Sequence, residues 1–377
     1  MQTLLNQLVY FGFFQSLFLL LIYLFSSKKR KQINGYMTFF VGILFIGLSG
    51  KVLHGLGVWG GNFRLISLSE LSALLFGPTV YLFTRSVLER KKYSHQELIH
   101  YIPALIYSVF IAVYFVIPSD AIISERIKTG ELMHVVYVCN TIGLVFNISY
   151  LFLAFKTYQN FSRTIKDEVS YEVHTQFILN FLWIIAACLV FWVVIFMMTL
   201  FGDPLLERKV RPYIWIVLTL VILFITYAGI VSPQVFRILP DKALKKYHQS
   251  KLTLADMDRL KEKLDSLMLE KKPYLNKKLL KAELAEMLGV SNPELARLLN
   301  ENIGMNFFEY VNYYRIREFV NLVKTEKVKQ LTFFGVAQEA GFNSKASFNR
   351  AVKKITGKSS FDIKILCNHS NEKNNLQ

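Results

Sequence analysis

The pattern of apolar positions changes character about two thirds of the way along the chain. Over residues 1–240 apolar residues come in long runs broken by short polar loops, whereas over 241–377 they recur every three or four positions among charges. The runs lie at approximately 4–25, 36–57, 65–87, 99–117, 132–154, 177–200 and 213–231. A helix needs about 20 apolar residues to cross a ~30 Å hydrocarbon layer, and seven such runs in sequence are hard to place in a water-soluble core. The later spacing predicts amphipathic helices, each with one buried stripe. The expected fold class is all-α. A seven-helix transmembrane bundle (1–231) is followed by a connector (232–272), a soluble helical domain (273–364) and a disordered polar tail (365–377).

Charge adds an orientation. The net charge is +17, and residues 251–377 hold 22 Lys and Arg against 15 Asp and Glu, which leaves +10 for the first 250 residues. One basic pool suits a nucleic-acid surface and the other the inner face of a membrane. The first run has no basic stretch ahead of it and no small-residue cleavage site after it, so it is not read as a cleaved signal. Lys28, Lys29, Arg30 and Lys31 follow it directly. Basic loops stay inside, which puts the N-terminus outside. Alternation then places Arg90, Lys91 and Lys92, then Lys156, Arg163 and Lys166, inside. Arg64, then Arg126 and Lys128, then Arg208, Lys209 and Arg211 fall outside. The bias is ten against six. With seven crossings the C-terminal domain lies in the cytoplasm, beneath a bacterial inner membrane, where DNA is accessible. The parity turns on run 36–57, which Lys51 and His54 interrupt.

Candidate chemistry in the first half is sparse. Cys139, Cys188 and Cys367 are too far apart for a disulfide framework or a zinc site. No metalloprotease, nucleophile-elbow or phosphate-loop motif occurs, so neither an enzyme nor a cofactor is expected. Lys51, His54 and Glu70 stand near the outer ends of the second and third runs. Ionisable groups in hydrocarbon face a partner or a cavity. They form either a pocket for an effector or proton, or a polar link between helices in which Lys51 meets Glu70. Asn140, Asn147 and Asn180 are candidates for bonds between helices, and Pro78, Pro103 and Pro233 for kinks or ends.

In the connector, Thr253 and Asp256 have capping-box spacing. Leu254, Met257, Leu260, Leu264, Leu267 and Met268 recur at helical spacing to about Lys271. This stripe is read as packing on the following domain, with pairing of two copies into a homodimer as the alternative.

Residues 273–364 hold two helix-turn-helix units. In the first, Leu280, Leu284, Ala285 and Leu288 form an inner face, Gly289 turns with positive φ, and Val290 packs inward. Ser291 or Asn292 caps a helix to about Asn302, with Pro293 in its first turn. Leu295, Leu298 and Leu299 point in; Asn292, Arg297, Asn300 and Glu301 point out. In the second, Val336 and Ala337 are inside, Gly341 turns, Phe342 packs, and Ser344 caps a helix to about Ile355. Lys345, Asn349, Arg350, Lys353 and Lys354 lie on its outer face. Between them a long helix (about 307–324) turns Tyr310, Tyr314, Ile316, Phe319 and Val320 inward.

These strings resemble the DNA-binding domain of AraC-type transcription regulators. The matching stretches are Tyr274-Leu275, Glu283-Leu284-Ala285, Gly289-Val290-Ser291, Asn306-Phe307 and Asn312-Tyr313-Tyr314-Arg315-Ile316. Next come Ala337 with Gly341-Phe342-Asn343-Ser344, Ser347-Phe348-Asn349-Arg350, and Lys353-Lys354 with Thr356-Gly357. They fall in family order over about 90 residues, a quarter of the chain. The resemblance implies that the two second helices enter successive major grooves of double-stranded DNA. Asn292, Arg297 and Asn300, then Lys345, Asn349 and Arg350, would contact bases, with Lys353 and Lys354 on phosphate. Three departures bear on the second unit: Val352 where Phe is usual, Ser359-Ser360-Phe361-Asp362-Ile363-Lys364 in place of the closing motif, and Gly335 inside its first helix.

The combined reading is a membrane-anchored, sequence-specific transcription regulator that answers an unknown small-molecule or protein effector sensed by the bundle. A transporter or membrane enzyme with a C-terminal regulatory or protein-binding domain is the alternative, and proteolytic release of the domain a variant.

Overall fold

The computed structural model describes residues 2–25, 34–58, 63–89, 94–173, 175–201, 213–231, 254–324 and 331–357. The basic clusters at 28–31, 90–92 and 208–211 lie outside the described residues. So do Pro233 and the rest of the connector up to Thr253, the segment 359–364, Cys367 and the tail. Among the described residues the chain is helical, with a single isolated antiparallel bridge between Val169 and Leu280. It divides into two units: Met1–Gln159 with His174–Ile238, and Asn160–Val173 with Leu239–Gln377.

The first unit holds α1 (Gln2–Phe25), α2 (Gly35–Gly55), α3 (Phe76–Glu89), α4 (Ile102–Ile111), α5 (Asp120–Lys128), α6 (Glu131–Glu168, whose end belongs to the second unit), α7 (Gln176–Phe201) and α8 (Tyr213–Val231). Among the described residues six helical spans are long and apolar enough to cross a membrane, two of them (Ser69–Glu89 and His95–Val116) joining α-helix to other helical turns, and Tyr213–Ala228 is a shorter apolar helix. The run carrying Lys51 and His54 is one unbroken helix, α2.

Two of the predicted runs are not continuous α-helices. The third is a 3₁₀ segment, Phe63–Ser72, then a turn, then α3. In an apolar setting the backbone groups freed by such a break need partners, and Asn147 of α6 supplies them. Its Oδ1 accepts from the Gly77 amide at 2.8 Å and its Nδ2 donates to the Ala73 carbonyl at 3.0 Å. Gly77 makes room for it, since a Cβ there would lie 3.0 Å from Asn147 Oδ1 and from Tyr150 Cβ. Pro78 thus sits at a helix start and not at an end. The fourth run is 3₁₀ at His95–Tyr101, α-helical in α4 and a π-turn at Ala112–Val116.

Two polar expectations are met and one is not. Asn140 Oδ1 accepts from Trp192 Nε1 at 2.9 Å, linking α6 to α7 as Asn147 links α6 to the break. Asn180 instead accepts from Gln176 one turn earlier in its own helix, at 2.8 Å.

The run expected to end at 154 is corrected in length. α6 runs 38 residues, to Glu168. Residues 155–168 lack Gly and Pro, and Phe161 and Ile165 repeat at helical spacing and are buried.

The second unit contains α9 (Leu254–Glu270), α10 (Lys281–Leu288), α11 (Asn292–Arg297, continued by a π-turn Leu298–Ile303), α12 (Phe307–Val323), α13 (Phe333–Glu339) and α14 (Lys345–Thr356). Its apolar interior has two centres. One gathers Leu264 and Met268 of α9, Leu284 of α10, Leu295 of α11 and Phe307 and Tyr310 of α12. The other gathers Ile316 and Phe319 of α12, Val336 of α13 and Phe348 and Val352 of α14. α12 therefore serves both. The connector stripe packs into the first centre, and polar bonds fix it there: Tyr314 Oη donates to Asp265 at 2.8 Å and Asn302 Nδ2 to Asp258 at 3.1 Å. Val320, expected inside, is 41% exposed, and Val323, one turn on from Phe319, takes the buried place.

Candidate nucleic-acid interface

Each candidate recognition helix is placed by a turn and a cap. Gly289 ends α10 at φ +75°, the left-handed conformation expected of it, and lets the Val290 amide reach the Ala285 carbonyl at 3.0 Å. At the head of α11, Ser291 donates to the Glu294 carboxylate from its amide (2.8 Å) and hydroxyl (2.7 Å). The second turn is tighter. Gly341 has φ +96°, and a Cβ there would lie 2.3 Å from the Tyr274 carbonyl oxygen. Only glycine fits both the backbone and the contact. Ser344 then caps α14, accepting from the Ser347 amide at 3.1 Å.

Two of the departures resolve here. Gly335 does not interrupt α13. It is the third helical residue, its amide donates to Thr332 Oγ1 at 3.0 Å, and a Cβ would press on that hydroxyl at 3.1 Å. Val352 is buried in the second centre beside Phe348, whose ring meets those of Phe319, Phe333 and Phe342 edge-on.

The predicted contact residues differ in their surroundings. On the first helix Asn300 is exposed, Arg297 is bonded to Glu301 at 2.7 Å, and Asn292 is only 8% exposed. Asn292 Nδ2 lies 3.5 Å from Glu168. On the second, Lys345 and Lys353 are exposed and Asn349 is half-buried. Arg350 pairs with Glu172, and Lys354 with Glu309. α14 thus offers its charges to solvent from a strongly amphipathic helix. Burial alone would raise the Glu309 carboxyl, but its bonds to Lys354 and to the Asn306 cap carry it below the usual carboxylate range.

Sequence reasoning did not single out Arg315 beyond its place in a motif. It is 1% exposed, and burial lowers its guanidinium to about 9. All its donors find oxygen: Nε to Tyr274 O (2.8 Å), Nη1 to Ser170 O (2.5 Å) and Asn312 Oδ1 (3.3 Å), Nη2 to Asn276 O (2.8 Å) and Ser170 Oγ (3.0 Å). A fully bonded arginine can be buried where an unpaired one cannot. Apart from that motif, the sequence signal was an arginine amid the aromatic residues of α12.

In the first unit a cavity of about 350 Å³ lies beside the broken third run. Its walls include Ser69, Glu70, Tyr107, Asn140, Trp192 and Trp215. Of the three predicted intramembrane residues, Glu70 alone is on its wall; the Lys51 ammonium lies 5.6 Å from the centre of the Trp215 ring.

Residues 284–360 match the family model described as "Helix-turn-helix domain", an AraC-type domain, and the match supports a DNA-binding transcription regulator. No curated protein and no solved structure matches the chain.

Proposed function

We propose that this chain is a membrane-anchored transcription regulator that binds double-stranded DNA sequence-specifically. The observation that carries the reading is the pair of capped helices, α11 and α14, which α12 joins on one interior while their polar faces stay outward. Arg297 and Asn300, with Arg350 and Asn349, are the base-reading candidates; Lys345, Lys353 and Lys354 meet phosphate. The apolar helices of the first unit hold the protein in the inner membrane, with the N-terminus outside and the DNA-binding unit in the cytoplasm. The cavity beside Glu70 is the candidate effector site. Its size and its mostly apolar wall with a few polar groups suit a small molecule.

The test is binding of the purified full-length protein, in lipid nanodiscs, to fragmented genomic duplex, with the retained fragments sequenced. Enrichment of discrete sites, lost steeply between about 50 and 200 mM salt, is the expected result. Retention without sequence preference, or none at low salt, rejects the reading. A reporter fused after residue 377 that works only outside the cytoplasm rejects the orientation.

A further inference from the structure

Residues 160–173, the end of α6 and the five residues after it, group with the helix-turn-helix unit. They are anchored by backbone as well as side chains. Val169 bridges Leu280, and Ser170 donates to the Leu279 carbonyl from both amide (3.2 Å) and hydroxyl (2.8 Å). Ser170 also accepts two of the bonds that satisfy the buried Arg315.

From this anchor two carboxylates reach the candidate DNA-reading helices. Glu168 accepts from Lys281 Nζ at 2.7 Å and lies 3.5 Å from Nδ2 of Asn292, the residue that opens α11. Glu172 pairs with Arg350 of α14. One residue from each recognition helix thus meets an acidic group of the same short stretch, Asn292 buried and Arg350 paired but largely exposed. Carboxylate and phosphate oxygens compete for the same donors. Asn292 Oδ1 is buried as well and has no hydrogen-bond partner among the described residues.

We propose that residues 160–173 are an internal occupant of the DNA-binding face, a seated arm that DNA must displace. The inference rests on the DNA-binding reading above and adds how that face is regulated. The arm continues α6, the helix whose Asn140 and Asn147 stand on the cavity wall. One helix is thus shared by the candidate effector site and the arm.

The test compares full-length proteins in nanodiscs on an enriched duplex at fixed salt. The double variant Glu168→Gln with Glu172→Gln keeps side-chain shape and removes the competing charge. It should bind about tenfold tighter, within the ~5–150-fold range of ordinary coupling between sites. Glu262→Gln with Glu270→Gln, exposed on α9, makes the same change in net charge away from the arm and should leave affinity within about twofold. Val169→Cys with Leu280→Cys, at the antiparallel bridge, allows a disulfide to hold the arm down. Oxidation should weaken DNA binding and reductant restore it. If the wild type binds DNA but the two glutamine pairs behave alike, or the disulfide changes nothing, the arm does not cover the face. If no variant binds at low salt, the DNA-binding reading falls and the arm proposal with it.

Discussion

The two helix-turn-helix units share one design and put it to different use. Residues 292–303, α11 with its π-turn, carry one Arg against Glu294 and Glu301, whereas α14 carries four cations and no acid. The first helix-turn-helix is braced by α9 on one side and by the segment around Ser170, through Arg315, on another. The second stands on a smaller set of aromatic contacts around Phe348. The difference separates two tasks that the repeat would otherwise duplicate. On the proposed reading, the near-neutral helix gains little from phosphate and is suited to reading base edges. On the same reading, the cationic helix is suited to the salt-dependent attraction to phosphate.

The sharpest way to break this comparison is to empty the second core alone. Phe348→Ala should cost about 3–5 kcal/mol locally. Hydrogen exchange of the full-length protein should lose protection across 333–356 while 284–299 keeps it. Equal loss in both would show a single cooperative unit in place of two.

A smaller effect should distinguish the helices by what they read. Arg297→Ala should relax preference at one base pair by about 1–3 kcal/mol with little change in salt dependence. Lys353→Ala should weaken all sequences alike and shallow the salt slope by about 0.9. Binding titrations at several salt concentrations on matched and mismatched duplexes check both, and a reversed outcome would exchange the roles assigned to the helices.

Caps should matter about equally at the two helices of the second helix-turn-helix. Thr332→Ala and Ser344→Ala each remove a side-chain acceptor from a helix N-terminus and should cost about 1 kcal/mol, read as faster exchange confined to α13 or α14.

The least effect concerns pH. Glu309 titrates below its ordinary value of 4.5 in the fold. Its contribution is therefore present above that value and lost as pH falls through the lowered one. Glu309→Gln should flatten the acid-side loss of protection in α14. Lys354 is mostly exposed, so the change should be slight; an unchanged acid limb would show that the pair contributes nothing.

Much of this was legible from residue order. Apolar run length marked the helices of the first unit, and Gly289, Ser291, Gly341 and Ser344 marked both turns and caps, because local sterics and hydrogen bonds decide such positions. The inner faces of α10, α11 and α14 followed from the 3.6-residue period. The break before α3 did not, since residues 65–87 look as apolar as any other run; its partner, Asn147, is some seventy positions away.

Sequence by itself therefore determined the helices, their buried stripes, the paired helix-turn-helix pattern and the basic face of α14. Each is a property of neighbours along the chain. Only tertiary structure decided that Arg315 is buried and that Glu168 and Glu172 meet Asn292 and Arg350. Those outcomes depend on polar groups more than a hundred positions apart, or on different helices, finding each other's donors and acceptors. No local period records such a pairing.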